Sequence, residues 1–410
     1  MIAKRDRGES ISDSMWTHAG QSETGNSFLI PTSTPFDVVI LGAGLAGVSA
    51  AAVLGNQGRR VAIVDPRRTY PPAFKAEKIE PDQAALFRQL GVMEGIAAQA
   101  APIRSIDEAH WGRILRTKTI EEYGIFYQDM VNAVRRQLPA SVDQRTARAV
   151  EVASSPELQI VKLDNGDELT TRLVAVACGT GGRLHESLGL ERQMLREAHS
   201  LCTGFDVERV DGRPFAFDSL TYWGDSLREA IDYVTLFPVP GRMRVNMFCF
   251  RDPKNPWVRA LATNPDETLR RSIPRMSRAI GEWRVTSKVE NRVIDLYRVT
   301  SAPRNGVVLL GDAFQSVCPS TGTGLSKVLT DVKQLCQVHI PTWLESPGMS
   351  AEKITSFYAD PVKLEVDRHS LETAEHRRRF GIDPSLRWWL HRRKTFALAA
   401  IDGWRNSAAS

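Results

Sequence analysis

Gly42-Ala43-Gly44-Leu45-Ala46-Gly47 is the first stretch whose residue types and spacing can do chemistry, because it fits the GxGxxG pattern. The first glycine permits a tight turn, the second lets a pyrophosphate reach the backbone, and the third lets helix and strand lie close. Leu45, Ala46 and Gly47 then open a helix whose free N–H groups and positive dipole end would hold phosphate charge. Asp65 follows Gly47 by 18 residues. A carboxylate there can accept hydrogen bonds from the ribose hydroxyls of an adenosine half. This unit alone leaves NAD and FAD both open.

A second constellation lies some 270 residues later. An apolar run from Val307 delivers Gly311-Asp312, a loop carries Pro319, and Gly322, Gly324 and Leu325 open another helix. Asp312 can accept from a ribityl hydroxyl, and the helix start can stabilise negative charge at the N1 and O2 edge of a flavin. Two such turns point to FAD.

With both motifs in place, the sequence over most of residues 36–340 resembles the class A flavoprotein monooxygenases, which have the para-hydroxybenzoate hydroxylase fold. The resemblance implies that Asp312 binds ribityl, that Pro319 lies against the flavin, and that Gly322 and Gly324 sit near its pyrimidine edge. It also implies FAD contacts from Lys75 or Lys78 and from Gln128, although the lysines read equally well as solvated charge and Gln128 as a helix cap. Two positions depart from the family. Gln315 stands where the family has histidine after Gly-Asp-Ala, and Cys178-Gly179 replaces an Asp-Gly that backs the pyrophosphate and a nicotinamide path.

The implied reaction uses reduced flavin and O2 to form a C4a-hydroperoxide, which passes one oxygen to an apolar, electron-rich molecule of aromatic, polyketide-like or prenylated type. Electrons would come from NAD(P)H directly or as reduced flavin from a partner reductase. Two other readings stay open: a reductase or dehydrogenase of the same fold, and a non-catalytic flavin-fold binder. A halogenase is a lesser variant, and the sequence has no WxWxIP segment. Tyr222, Trp223, Tyr233, Phe237, Met247 and Phe248 are candidates for the substrate pocket together with Pro319, and Tyr222 and Tyr233 could orient a substrate hydroxyl. Strand alternation sends about half of such residues to the opposite face.

The elements that must position these residues follow from pattern. Phe36–Leu41 is a buried parallel strand, 45–57 a helix rich in small residues, and 60–64 the second strand. Helices are expected at 81–98, 128–138 and 265–280, a hairpin at 104–120, and a β-meander at 147–177. The fold class is α/β: a Rossmann-type FAD-binding domain with an inserted antiparallel β-sheet substrate domain and a C-terminal helical segment. Expected boundaries are a flexible arm at 1–35, FAD-binding segments at 36–196 and 301–340, the substrate sheet at 197–300 with a portion near 100–125, and helices at 341–410.

A formal net charge of +5 over 410 residues is too small for a nucleic-acid footprint. Five scattered cysteines without a CxxC pair suggest neither a disulfide framework nor a zinc site, and fit a reducing cytoplasm. No run approaches the ~20 apolar residues of a membrane span. In the last helix, Leu386, Trp389, Leu390, Ala397 and Ile401 share one side next to Arg392, Arg393 and Lys394. That side is expected to lie on the protein body, with peripheral contact to an anionic membrane as the alternative.

Overall fold

A computed structural model describes residues 34–409, so nearly all of the arm expected at 1–35 lies outside the described residues. The first third runs β1 (Phe36–Leu41), α1 (Leu45–Asn56), β2 (Val61–Asp65), β3 (Ala76–Ile79), α2 (Pro81–Gln89), α3 (Met93–Ala97), β4 (Ala101–His110), β5 (Arg113–Phe126) and α4 (Tyr127–Arg136). Then come β6 (Asp143–Thr146), β7 (Ala149–Ser154), β8 (Gln159–Leu163), β9 (Glu168–Val176), α5 (Gly182–Ser187), β10 (Arg192–Arg209), β11 (Ser219–Trp223), β12 (Ile231–Val239) and β13 (Arg242–Cys249). The remainder is α6 (Pro256–Thr263), α7 (Pro265–Ser272), α8 (Met276–Ile280), β14 (Trp283–Val285), β15 (Glu290–Val299) and β16 (Val307–Leu309). It ends in α9 (Gly324–Lys333), α10 (Ile340–Leu344), α11 (Ala351–Tyr358), α12 (Pro361–Ile382) and α13 (Leu386–Ala409).

Among the described residues the strands form a seven-stranded and a nine-stranded sheet. In the first, β6, β2, β1, β9 and β16 lie side by side and parallel, while the opening half of β9 pairs antiparallel with β8. β1 has no polar alternation because both its faces are covered. Val38 and Ile40 enter the core under α1, and Val39 and Leu41 enter the core on the other face. β1 and β16 flank β9, so the turns that follow them leave the same sheet edge about 10 Å apart.

The second sheet runs β14-β10-β13-β12-β11-β4-β5-β3, with β15 also on β10. One face buries Phe205, Tyr222, Val245 and Met247 against Leu261, Leu269 and Met276 of α6–α8. The other face carries Trp223, Tyr233 and Phe248, which touch one another and Phe380 of α12. Asn246 of that sheet donates to the Ala76 carbonyl at 2.9 Å, tying it to the segment that follows β2.

Three elements differ from the sequence expectation. The helix expected at 81–98 is split into α2 and α3, because Gly91 adopts φ +74° and stops the first piece. The helix expected at 265–280 is likewise α7 and α8, since Pro274 cannot continue the ladder. The longest strand, β10, begins at Arg192, well before the apolar pattern starts. Its first half is polar and carries two register shifts and a left-handed Ala198 at φ +42°, which hide the period-two signal.

Candidate functional site

The first glycine turn is shaped by its own βαβ unit. Gly42 adopts φ +105°, and a Cβ there would lie 2.7 Å from the Ala177 carbonyl oxygen. A Cβ on Gly47 would lie 1.9 Å from the Gly42 oxygen, so α1 meets the turn with no room for a side chain. Gly44 is the opposite case: nothing lies within 4 Å of its Cβ position. An open notch therefore sits at the start of α1, which has no side-chain cap and no acid in its first turn. That is the opening a phosphate needs.

Asp65 sits at the end of β2, as expected, with its carboxylate on the turn itself. It accepts from the amides of Ala43 at 2.8 Å and Arg67 at 2.9 Å. Arg135 of α4 was not anticipated. Its guanidinium donates to the carbonyls of Ala43 (2.6 and 3.0 Å) and Arg67 (2.9 Å), clamping two loops together. Burial lowers its pKa, the charge of Asp65 only partly offsetting that. A cavity of about 310 Å³ opens here, lined by Ala43, Asp65, Arg67, Arg68, Arg135 and Arg145, at the adenosine end of the expected site.

The second turn rests on quite different supports. Gly311 and Ala313 are buried, whereas the Asp312 side chain is exposed beyond the end of β16. The Gly311 amide donates to Asp331 of α9 at 3.1 Å. Asp331 belongs to a buried ring of four charges: Lys327–Asp331 3.1 Å, Lys363–Asp331 3.0 Å, Lys363–Asp367 2.8 Å and Lys327–Asp367 3.1 Å. Burial alone would push the Asp331 carboxyl up, but Lys327 and Lys363 outweigh it and hold it below the usual range. Lys363 is itself lowered, burial outweighing the attraction of Asp331. Lys363 and Asp367 come from α12, so the C-terminal helices brace this turn. Tyr358 of α11 also accepts from the Leu309 amide at 2.7 Å, and the Lys363 ammonium lies 4.6 Å from the Phe314 ring centre.

Gln315, where the family carries histidine, is fully buried in the same network. Its oxygen accepts from Arg298 at 2.8 Å and its amide donates to the Asp367 carbonyl at 3.0 Å. Cys178 lies behind the first turn, 3.8 Å from His185 Nδ1. Burial pushes its thiol up to about 11, so the side chain is neutral.

The structure brings some of the remaining expected residues to the crevice and uses others elsewhere. The Lys75 side chain is half exposed, near enough to Asp312 to feel its charge. It pairs with Glu77 at 2.7 Å and lies 4.3 Å from the Tyr127 ring centre. Burial opposes its charge, yet Glu77 and Tyr127, with a smaller contribution from Asp312, hold its ammonium above the usual lysine range. Lys78 is instead taken up by the buried Glu122 at 2.8 Å. Gln128 accepts from the Ala73 amide at 3.3 Å and so supports the loop before Lys75. Pro319 and Gly322 bound a short turn ahead of Gly324 and the buried Leu325. Gln83 of α2 anchors it by donating to the Gly322 carbonyl at 2.9 Å.

On the sheet above, Tyr233 donates its hydroxyl to the Ser320 carbonyl at 2.9 Å, which makes it a support of the second turn. Burial keeps that hydroxyl protonated by raising its pKa. Three pocket candidates are corrected. Tyr222 faces α6–α8 and is fully buried, its hydroxyl donating to Asp225 at 2.8 Å. Phe237 shares the strand face of Tyr233 but is sealed with Ala76, Ile103 and Val239 beneath β3. Met247 likewise belongs to the face covered by α6–α8, leaving Trp223, Tyr233 and Phe248 on the other face, where Phe380 and the Arg377 guanidinium of α12 pack on Trp223.

These features fit FAD: an uncapped helix start with an open notch, a cavity at Asp65, and an exposed aspartate just past the end of β16, on the far side of β9 from β1. Residues 35–338 match the family described as FAD binding domain. In fold the chain is similar to p-nitrophenol 4-monooxygenase PnpA from Pseudomonas putida, with a TM-score of 0.71 at 17% identity, covering 90% of this chain and 94% of that one. It is also similar to PqsL from Pseudomonas aeruginosa, solved with 2-aminobenzoylacetate, with a TM-score of 0.67 at 20% identity, covering 85% and 99%. Over 75 residues, 18% of this chain, it is 29% identical to Squalene epoxidase 3 of Arabidopsis thaliana, and it spans only 14% of that relative's length. The chain belongs to the FAD binding domain family and has the fold of the class A flavin-dependent monooxygenases.

Proposed function

We propose that this chain is an FAD-dependent monooxygenase that inserts one oxygen atom from O2 into an apolar, electron-rich small molecule. The observation that carries the reading is the pairing of the Gly44 notch with the exposed Asp312 on strands that flank β9. One extended dinucleotide can be held at both. FAD, when bound and reduced, supplies the oxygen-transferring chemistry; the residues of the chain supply position and dryness.

Gly44 and the start of α1 would hold the pyrophosphate, Asp65 and Arg135 keep that turn in shape, and Asp312 would accept from ribityl. Pro319, Gly322 and the start of α9 would meet the ring system, in a loop held in place by Tyr233. Tyr233 and Phe248, packed together and tied to the second turn through the Ser320 carbonyl, are the aromatic residues that would meet an aromatic, polyketide-like or prenylated substrate. The electron donor is NAD(P)H or reduced flavin from a partner reductase, and the free cysteines suit a cytoplasmic setting.

The test is oxygen uptake by the purified holoprotein with candidate aromatic and prenylated compounds, using isotopically heavy O2. Label in the product supports the proposal. Turnover under anaerobic conditions with an artificial acceptor, unaffected by those compounds, would replace it with a reductase. No turnover of either kind, with flavin bound, would indicate a binding protein.

A further inference from the structure

The face of α13 expected to lie on the body points outward instead. Leu386 (70% exposed), Trp389 (42%), Leu390 (53%), Ile401 (46%) and Trp404 (73%) lie along one side of the helix. The opposite side is the one that docks. Trp388 and Ala399 are buried, and the Phe396 ring stacks on His110 with 3.8 Å between ring centres. Gly403 allows this approach, since a Cβ there would lie 2.0 Å from the Leu115 carbonyl oxygen.

Charge decides what can cover the outward face. Arg387, Arg393, Lys394 and Arg405 are exposed along the same helix. Its one acid, Asp402, is matched by Arg116 of β5 at 3.1 Å. The Arg393 guanidinium lies 4.3 Å from the Trp389 ring centre, an aromatic and a cation side by side within the stripe itself. On the neighbouring hairpin Trp111 is 53% and Ile114 41% exposed, with Arg275 5.3 Å from the Trp111 ring centre. Two copies of this face laid together would bring their basic fringes into repulsion. An anionic bilayer accepts both the stripe and its fringe.

We infer that the outward face of α13 is a docking surface for anionic membrane, on which the helix lies flat in the headgroup region. No helix among the described residues is long and apolar enough to cross a bilayer, so the contact is peripheral. Phe396 on the inward side lies 6.0 Å from Trp223 between ring centres, so docking holds the aromatic face of the second sheet about one helix diameter, ~10 Å, from the lipid. Resting on the oxygenase reading above, this favours substrates that partition into bilayers.

The experiment is co-sedimentation of the full-length holoprotein with phosphatidylcholine vesicles, with and without a one-third share of phosphatidylglycerol. It reads binding without turnover, so it stands or falls apart from the oxygenation proposal. The expected result is binding to the anionic vesicles, weakened by salt and reduced about tenfold or more in Leu390→Glu/Trp404→Glu and in Arg393→Glu/Lys394→Glu. Unchanged flavin content in both double variants shows that they are folded. Equal binding of wild type and variants, or no binding by wild type, overturns the inference. So does a wild-type dimer that Leu390→Glu/Trp404→Glu converts to monomer, since a second copy would then be the occupant.

Discussion

The Gly42–Gly47 turn and the Gly311–Gly324 turn face one cofactor but are held by different physics. The first is local: strand, turn, helix and strand fall within residues 36–65, and its supports are backbone contacts plus Asp65 and Arg135. The second is assembled at a distance. Its amide at Gly311 is held by Asp331, and Asp331 by Lys363, which arrives from a helix some fifty residues further on. A local turn survives damage elsewhere. A turn resting on buried charge does not, because a buried ion stripped of its partner is costly.

Lys363→Met should give the largest effect. It leaves Asp331 and Asp367 with one lysine between them and is expected to cost about 3–5 kcal/mol in a denaturant titration, with loss of FAD. The charge-balanced Lys363→Met/Asp367→Asn should recover part of both. Equal damage in the two would make shape rather than charge the support.

Gly44→Val should separate cofactor from fold at the first turn. Its Cβ meets open space, so thermal stability of the apoprotein should hold while FAD affinity falls by about 100-fold, ~3 kcal/mol, measured by flavin fluorescence. Asp312→Ala should weaken FAD by about 2 kcal/mol, the loss of a charged acceptor, again with little change in apoprotein stability.

Acid should reach the second region sooner. His199 lies beside Ser200, which contacts Cys318 of the second loop at 3.3 Å, and both its ring nitrogens are buried without partners among the described residues. Burial first, then Arg378 and Arg196, lowers its pKa to about 4. A base with a lowered pKa favours the fold when neutral, so stability should begin to fall below about pH 6.5 and the loss be complete near pH 4. His199→Leu should remove about 1–2 kcal/mol of that decline, seen in melting temperature against pH. Gln128→Ala should do least, under ~1 kcal/mol in stability, because it removes one side-chain acceptor at 3.3 Å.

Both glycine turns and the βαβ unit were legible because their signals are short-range: consecutive glycines, an unbroken apolar strand and an acid at fixed spacing. Lys363 and Asp367 were not, since a lysine and an aspartate one helical turn apart look like a solvated surface pair. Only the packing of α12 on α9 buries them. Arg135 was passed over for the same reason. Tyr222 and Phe237 were misplaced because sequence shows that strand residues alternate but not which face the helices will cover. The apolar stripe of α13 was read correctly as a stripe and assigned to the wrong side, since Trp388, Phe396 and Ala399 offered a second face of similar strength.

The central claim is that the two turns hold one FAD, and equilibrium titration of the full-length protein with FAD tests it most directly. One FAD bound per chain, with Gly44→Val and Asp312→Ala each weakening it while leaving the fold intact, is the expected result. Wild-type protein that stays colourless in excess FAD, or variants at both turns that bind it as tightly as wild type, would contradict the account.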